Sequence, residues 1–334
     1  MLITTTSHRS RLEACLAGQK ADRPPVALWR HFPVDDQSPD RLAAATAAFQ
    51  HTFDFDLIKV TPTSSFCIKD WGVEDRWSGN PEGTRDYTRR AVQRPEDWAA
   101  LSPLDPLQGH LGEQIACLKL LTTEFSPSTP ILQTIFSPMS QAKNLVGPNE
   151  LLVHMRQHPE LLRAGLQRIT ETTIHFLEEA VKTGIDGVFY AVQHGQYGLL
   201  TAGEFDEFCR PYDLQVLEAA QGLWLNLLHL HGEAVMFDQV LDYPVAVINW
   251  HDRQTAPTLA ESQARFKGVV CGGLRQWETL LLGTPESVLA EALDAYHQTG
   301  GQRFILGTGC VLPTTAPYGN IMAARKTFEI EGAR

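Results

Sequence analysis

The stretch NLLHLHGE, residues 226–233, is an apolar run that ends in two histidines and a glycine. A short continuous run of this kind is typical of a strand that is covered on both faces, as the strands of a parallel sheet are. His229 and His231 are two residues apart, so on such a strand their side chains lie on one face, with Cα atoms roughly 6–7 Å apart. The stretch therefore predicts a buried parallel strand with two imidazoles at its carboxyl end.

Segments of the same apolar character recur along the chain and alternate with amphipathic ones. The predicted strands are Pro25–Arg30, Asp56–Thr61, Ile131–Ser137, Gly187–Gln193, Leu225–His231, Val245–His251, Gly268–Gly273 and Arg303–Gly309. The predicted helices are Pro39–Phe53, Leu107–Glu124, Pro159–Thr183, Thr201–Gln221, Thr258–Phe266, Pro285–Thr299 and Pro317–Glu329.

This alternation of strands and helices predicts an α/β fold, a single (β/α)₈ TIM barrel over residues 1–334. A doubly wound open sheet is the alternative, but no Gly-x-Gly-x-x-Gly follows the first predicted strand to support it. The segment Asp70–Asp97 is rich in Gly, Pro, Trp and charge, and we interpret it as an insertion after the second strand that covers the barrel mouth.

The composition excludes several classes of function. The chain has 334 residues, 43% of them hydrophobic, and a formal net charge of −11, which disfavours a nucleic-acid or anionic-membrane surface. No apolar run approaches the ~20 residues of a membrane span, and the start lacks the apolar core of a secretory signal. The six cysteines are scattered without a Cys-x-x-Cys pair, as in a reducing compartment. We expect a cytoplasmic protein that acts on a small molecule.

In barrels of this kind the chemistry lies at the carboxyl ends of the strands. The residues at these predicted ends are Arg30, His31, Thr61, Ser137, Gln193, His194, His229, His231, Trp250, His251, Asp252, Cys271, Thr308 and Cys310. Five of the twelve histidines are among them, which predicts that they share one pocket.

The pair His229 and His231 has two interpretations, a metal site or two hydrogen-bonded pocket histidines. Cys310 favours the metal site, since it follows a Gly-Thr-Gly turn at the predicted mouth, where a thiol is more exposed than in a core. Two imidazoles and a thiolate with a vacant fourth position form an open catalytic zinc arrangement. Cys271 is a second thiol at a strand end, which we interpret as a core residue, although it could enter the same site.

Three further motifs carry a family resemblance that runs over nearly the whole chain. They are RLEACLAGQKADRPPV at 11–26, FDEFCRPY at 205–212, and GTGCVLP at 307–313 with Thr315, Pro317 and Asn320. In these motifs the chain resembles the uroporphyrinogen decarboxylase superfamily, and within it the zinc-dependent, cobalamin-linked methyltransferases. The resemblance implies a (β/α)₈ barrel, in agreement with the strand count.

The methyltransferase branch carries a His-x-Cys pair and a distant Cys as zinc ligands, and these positions fall on His229, His231 and Cys310. The middle ligand departs from the pattern, because His231 replaces a thiolate. An imidazole there makes the site more positive and a coordinated thiolate a poorer nucleophile, while zinc still accepts the ligand set. The resemblance implies Zn²⁺, a corrinoid (methylcobalamin) carried by a separate partner protein, and methyl transfer to a small acceptor, which is a thiol in that branch.

The remaining pocket residues have supporting roles under this hypothesis. Arg30 and His31 would neutralise an anionic tail of the acceptor. The residues that would orient ligands by hydrogen bonds are Gln193, His194, His251 and Asp252. Each also has a structural interpretation: an ion pair at the mouth for Arg30, satisfied pocket histidines for His194 and His251, and a surface ion pair with Arg253 for Asp252.

Two other functions stay open at this level. One is uroporphyrinogen decarboxylation, for which the family's second arginine, its aspartate and its late histidine fall near Val34, near Pro62 and on Thr308, so that only Arg30 matches. The other is a non-catalytic barrel that binds a tetrapyrrole or corrinoid. A homodimer is a further expectation, since related barrels often pair.

Overall fold

A computed structural model of the chain describes residues 6–329. Its strands are β1 Ile58–Val60, β2 Glu74–Arg76, β3 Asp86–Arg89, β4 Ile131–Phe136, β5 Gly187–Val192, β6 Leu227–Leu230, β7 Val247–Trp250, β8 Val269–Leu274 and β9 Phe304–Thr308. Seven of them form one curled parallel sheet in the order β1-β4-β5-β6-β7-β8-β9, and β2 and β3 form a separate antiparallel hairpin.

The helices pack against this sheet and connect its strands. They are α1 His8–Leu16, α2 Pro39–Phe53, α3 Gly109–Phe125, α4 Pro138–Val146, α5 Pro148–Gln157, α6 Pro159–Lys182, α7 Ala202–Phe208, α8 Arg210–Ala219, α9 Leu259–Arg265, α10 Pro285–Thr299 and α11 Tyr318–Lys326. Several begin with a proline at the first helical position, where its missing N–H costs no hydrogen bond. Within residues 6–329, none of the helices combines the length and the apolarity that a bilayer crossing needs.

The predicted first strand, Pro25–Arg30, is not a continuous strand in the structure. It forms only isolated bridges, in which Ala27 N donates to Leu306 O and Leu306 N donates to Pro25 O, both at 2.9 Å. On its other side, Asp56 N donates to Val26 O at 2.9 Å. Proline has no N–H to donate, so Pro25 and the preceding Pro24 shorten the ladder. The stretch nevertheless lies between β9 and the residues that lead into β1.

Two helical predictions also need correction. The predicted helix Thr201–Gln221 is two helices, α7 and α8, because Pro211 lacks the N–H that would continue the first one. The helices α4 and α5 were not predicted, and they are two short elements separated by Gly147, whose φ of 114° is unfavourable for other residues.

The segment Asp70–Asp97 contains the hairpin β2–β3, and the loop between its strands contacts the carboxyl-end side of the sheet. Thr314 N donates to Pro81 O at 2.6 Å, and Trp277 Nε1 donates to Glu82 Oε1 at 3.2 Å. Because Trp277 follows β8 and Thr314 follows β9, this loop lies over the strand ends where the sequence places the site.

Ion pairs hold together the amino-terminal end of the sheet, opposite the strand ends that carry the site. Asp56 is fully buried just before β1, and its carboxylate accepts hydrogen bonds at 2.6 Å from both Arg11 and Arg23. Asp54 accepts from His8 at 2.9 Å and from Arg325 at 2.5 Å. These contacts join α1 and α11 to the residues that lead into β1.

Candidate metal centre and its cavity

Four side chains meet at the carboxyl ends of the strands. His229 lies on β6, His231 directly follows it, His251 directly follows β7, and Cys310 follows β9. One ligand atom from each lies within 4.8 Å of all the others, and Cys310 Sγ is 3.7 Å from His231 Nδ1. The structure thus brings the three predicted ligands together and adds His251, for which the sequence analysis predicted only an orienting role.

Strand geometry explains how these groups converge. The rings of His229 and His231 lie on one side of the strand with their centres 5.7 Å apart, as the alternation of side chains predicts. Gly309 packs against the backbone of His251: a Cβ there would lie 2.8 Å from His251 Cα. Only glycine lets the turn that carries Cys310 approach this closely.

Burial keeps all three imidazoles in the neutral form that binds metals. Desolvation, with the neighbouring His231 and His251, holds the pKa of His229 well below its usual value. Desolvation and the neighbouring His251 lower the pKa of His231 to about 4, and desolvation also lowers that of His251. Burial and the charge of Glu82 raise the pKa of the Cys310 thiol to about 11.

In His229 and His251, the hydrogen bond made by one ring nitrogen shows that the other nitrogen is free for a ligand. His229 Nδ1 lies 2.7 Å from the side-chain oxygen of Asn249, and His251 Nδ1 lies 3.0 Å from that of Gln254. His251 Nε2 is buried and has no hydrogen-bond partner. A buried nitrogen in that state is stabilised by coordination to a cation.

A cavity opens beside three of the four residues, His229, His231 and Cys310. Its walls are formed by Trp29, His31, Lys59, Thr61, Pro62, Ser64, Glu82, Thr84, Thr134, Phe136, Phe189, Ala191, Gln193, His229, His231, Cys310 and Val311. Aromatic and aliphatic side chains with a few polar groups among them are typical of a pocket for a small organic ligand. Glu82 and Thr84 come from the β2–β3 loop, so that loop contributes to the wall.

Lys59 is a cavity residue that the sequence analysis did not identify. It lies in the middle of β1, its ammonium nitrogen is 4.5 Å from the centre of the Phe189 ring, and its hydrogen bond to Thr61 Oγ1 is long, at 3.3 Å. Burial lowers its pKa to about 7. The signal was present in the sequence, because a lysine inside the apolar run DLIKVT has to be either paired or functional.

A second lysine, Lys143, is half-buried and supports the rim of the cavity. Lys143 Nζ donates to Gln193 Oε1 at 2.6 Å, and burial together with Arg90 lowers the Lys143 pKa to about 8. Gln193 lines the cavity, as predicted, whereas His194 is buried behind it with an unpartnered Nδ1. Desolvation and Lys143 lower the His194 pKa to about 3.

The other predicted site residues lie at different distances from the centre. His31 lines the cavity, with its pKa lowered to about 3 by burial, Lys59 and Arg85. Arg30 does not line it; its guanidinium lies 5.5 Å from the centre of the Phe32 ring. Asp252 accepts a hydrogen bond from Gly273 N at 3.0 Å and supports the end of β8. Cys271 is completely buried and, among the described residues, falls outside the group of four.

Comparison with known sequences relates nearly the whole chain to one family. The sequence model of a family described as Uroporphyrinogen decarboxylase (URO-D) matches residues 7–329. The chain is 20% identical over 339 residues to the methylcobamide:CoM methyltransferase MtbA of Methanosarcina acetivorans, covering 96% of each protein. It is 28% identical over 228 residues to a uroporphyrinogen decarboxylase of Corynebacterium glutamicum, covering 63% of this chain and 62% of that one.

Solved structures with the same fold include two enzymes. A methyltransferase from Methanosarcina mazei superposes with a TM-score of 0.84 at 18% identity, covering 98% of this chain and 100% of that one. A B12-independent methionine synthase from Shewanella sp. W3-18-1 superposes with a TM-score of 0.59 at 14% identity, covering 92% of each chain.

Proposed function

The chain belongs to the uroporphyrinogen decarboxylase (URO-D) family, as its motifs predicted, and on that premise we propose that it is a zinc-dependent methyltransferase that moves a methyl group between a corrinoid and a small acceptor. The convergence of His229, His231, His251 and Cys310 at the cavity carries this proposal. The similarity to MtbA over 96% of the chain supports it.

The donor set suits zinc. Imidazole nitrogen and cysteine sulfur are the ligands that zinc takes in proteins, and the imidazoles here are already neutral. We assign His229, His231 and Cys310 as the ligands that would hold the metal, and His251 as the group beside the fourth position. Zinc in such a site supplies Lewis acidity, which lowers the pKa of a bound acceptor and makes it a nucleophile at neutral pH.

The protein's own groups would bind and orient the acceptor. Lys59 supplies positive charge inside the cavity, and no arginine or aspartate is among the described residues that line it. We therefore assign to Lys59 the role of holding an anionic group of the acceptor. The sequence analysis had assigned this role to Arg30 and His31. Phe189 forms an apolar wall between Lys59 and His229, since its ring stacks on the imidazole at 5.3 Å.

We assign the corrinoid to a separate carrier protein that docks at the mouth, as the resemblance to the cobalamin-linked methyltransferases implies. In this arrangement Pro25–Arg30 takes the place of the eighth strand of a (β/α)₈ barrel, and Asp70–Asp97 is the insertion at its mouth.

Decarboxylation of uroporphyrinogen is the second candidate, favoured by the 28% identity to the Corynebacterium glutamicum enzyme. Its substrate carries several carboxylates. The described lining has one lysine, Lys59, and three histidines, His31, His229 and His231, and burial lowers the pKa of these imidazoles far enough to leave them neutral at physiological pH. The geometry therefore favours methyl transfer.

Metal analysis of the purified protein tests the proposal. We expect about one zinc per chain in the wild type, loss of that zinc in Cys310→Ala, and its retention in the matched control Cys271→Ala, whose thiol is buried outside the group of four. A folded wild type that binds no metal contradicts the proposal.

A second assay tests the reaction. We expect methyl transfer from free methylcobalamin to a carboxylated thiol, and slower transfer to a neutral thiol of the same length. Zinc binding without turnover of any thiol would exclude a thiol acceptor, and loss of carboxylates from uroporphyrinogen without added metal would favour the decarboxylase.

A further inference from the structure

Asn249 lies beside His229 on the neighbouring strand. The two residues are register partners in the parallel pair β6–β7, and Asn249 is fully buried. Its side-chain oxygen is 2.7 Å from His229 Nδ1. Its amide nitrogen donates to the backbone oxygens of Cys271 and Thr308, each at 2.9 Å.

These bonds determine which nitrogen of His229 carries hydrogen. The backbone oxygens of Cys271 and Thr308 can only accept, so both N–H groups of the Asn249 amide are directed at them. The amide oxygen is then the atom that faces His229, and an amide oxygen also can only accept. His229 must therefore donate from Nδ1, which leaves the lone pair of its neutral ring on Nε2.

We propose that Asn249 is the positioning residue of the metal centre: it holds His229 as the Nδ1–H tautomer, so that Nε2 is the atom offered to the metal. This inference rests on the proposed metal site. The amide is itself fixed by carbonyls of β8 and β9, the strand that leads to Cys310. The orientation of His229 is thus set in part by β9, the strand that leads to Cys310.

The bond between His251 and Gln254 provides a comparison within the same site. Gln254 faces His251 Nδ1 at 3.0 Å, but that pair is exposed to solvent. Water can replace an exposed hydrogen-bond partner, whereas nothing can replace a buried one. The Asn249 side chain should therefore matter to metal affinity and the Gln254 side chain should not.

The test uses zinc affinity, measured by competition with a chromophoric chelator, and the visible spectrum of the cobalt-substituted protein. Removing a hydrogen-bond partner of a metal-bound histidine lowers metal affinity by about 10–100-fold. We expect that loss in Asn249→Leu, which removes all three bonds, together with an altered cobalt spectrum. We expect near wild-type affinity in Asn249→Asp, whose carboxylate still accepts from His229, and in the control Gln254→Ala.

A purely structural role for Asn249 gives a different pattern. Asn249→Asp loses both bonds to the backbone oxygens, so a structural role predicts that it loses zinc as Asn249→Leu does, and that result would overturn the inference. Unchanged affinity in a folded Asn249→Leu would also overturn it and leave the metal site intact. A wild type that binds no zinc would contradict the proposed function itself, and not only the role of Asn249.

The tautomer can also be observed without any variant or metal. In the metal-free wild type with ¹⁵N-labelled histidine, long-range ¹H–¹⁵N correlation should show His229 protonated at Nδ1. A His229 protonated at Nε2 would overturn the inference even where the variants fail to fold.

Discussion

The ammonium nitrogen of Lys59 lies 4.5 Å from the centre of the Phe189 ring, inside the cavity that also exposes Cys310. No carboxylate forms an ion pair with it among the described residues. A buried charge without a partner lowers stability, so Lys59 reduces the stability of the fold.

Lys59→Met should therefore stabilise the metal-free protein and reduce turnover. The folded pKa of Lys59, about 7, is below its unfolded value of 10.5, so the folded state binds fewer protons between these values. Wild-type stability is reduced below about pH 7 and recovers as the pH rises towards 10.5. We expect the variant to gain on the order of 3 kcal/mol at pH 7, and to lose that gain near pH 10.5.

Denaturant unfolding at several pH values measures this effect, with exposed Lys119→Met as the control. An equal stability gain at every pH would contradict the assignment to Lys59 titration.

His231→Cys restores the thiolate that the methyltransferase branch carries at this position. Because a second thiolate pushes more electron density onto the metal, we expect retained zinc and several-fold faster methylation of a thiol acceptor. His194→Cys is the control, since His194 lies outside the group of four. Loss of zinc from His231→Cys alone would show that the metal site of this protein requires an imidazole at position 231.

Gly309→Ala should displace His251, because the added Cβ would lie 2.8 Å from its Cα. Overpacking of this kind costs about 1–3 kcal/mol. The control is Gly203→Ala in α7, where a Cβ meets no atom within 4 Å, and where alanine should add up to about 1 kcal/mol. Urea unfolding of both variants measures the difference in their free energies of unfolding. A Gly309→Ala variant as stable as the wild type would refute the steric argument.

Most of the described helices and most strands of the parallel sheet could be predicted from the sequence, whereas the composition of the candidate metal centre was predicted only in part. Pro39–Phe53 and Pro285–Thr299 have the predicted bounds, because a proline at the first helical turn marks each start. Strand periodicity was enough to pair His229 with His231. The inclusion of His251 depends on how closely the turn at Gly309 approaches β7, which is a tertiary contact.

Three-dimensional register also explains the residues that were missed or misassigned. Asn249 reads as one polar residue in an apolar run, and only its pairing with His229 across β6–β7 gives it a role. Arg30 was predicted to bind the anionic tail of the acceptor because it ends a predicted strand. The prolines before it shorten that strand, and its side chain packs on Phe32 instead.

Asp56→Asn should be among the most damaging substitutions outside the site. The carboxylate accepts hydrogen bonds from Arg11, Arg23 and Val26 N in a fully buried position. Neutralising it leaves buried arginines without their charge partner, which costs about 3–5 kcal/mol. Asp22→Asn, whose partly exposed carboxylate forms an ion pair with Arg11, should cost about 1 kcal/mol or less. Comparable thermal unfolding of the two variants would contradict this account.

His8→Gln should change the pH dependence of stability. Burial lowers the His8 pKa, but hydrogen bonds to Asp54 and Asp56 outweigh it and raise the pKa from 6.5 to about 9. This contribution is fully present below pH 6.5 and is lost as the pH rises through about 9. Allowing for solvent screening, we expect a loss on the order of 1 kcal/mol at pH 6 and almost none at pH 10.

Thermal unfolding at both pH values checks this prediction, and exposed His110→Gln serves as the control. A penalty for His8→Gln that does not change with pH would mean that packing, rather than charge, explains it.

The shared contacts of His8 and Arg325 with Asp54 have a practical consequence for handling the protein. Both residues bind the carboxylate that precedes β1, so His8 and Arg325 lie at the amino-terminal end of the sheet, opposite the cavity. A surface tether attached at this end would hold the protein with its cavity side outward, where binding of a large partner could be followed directly.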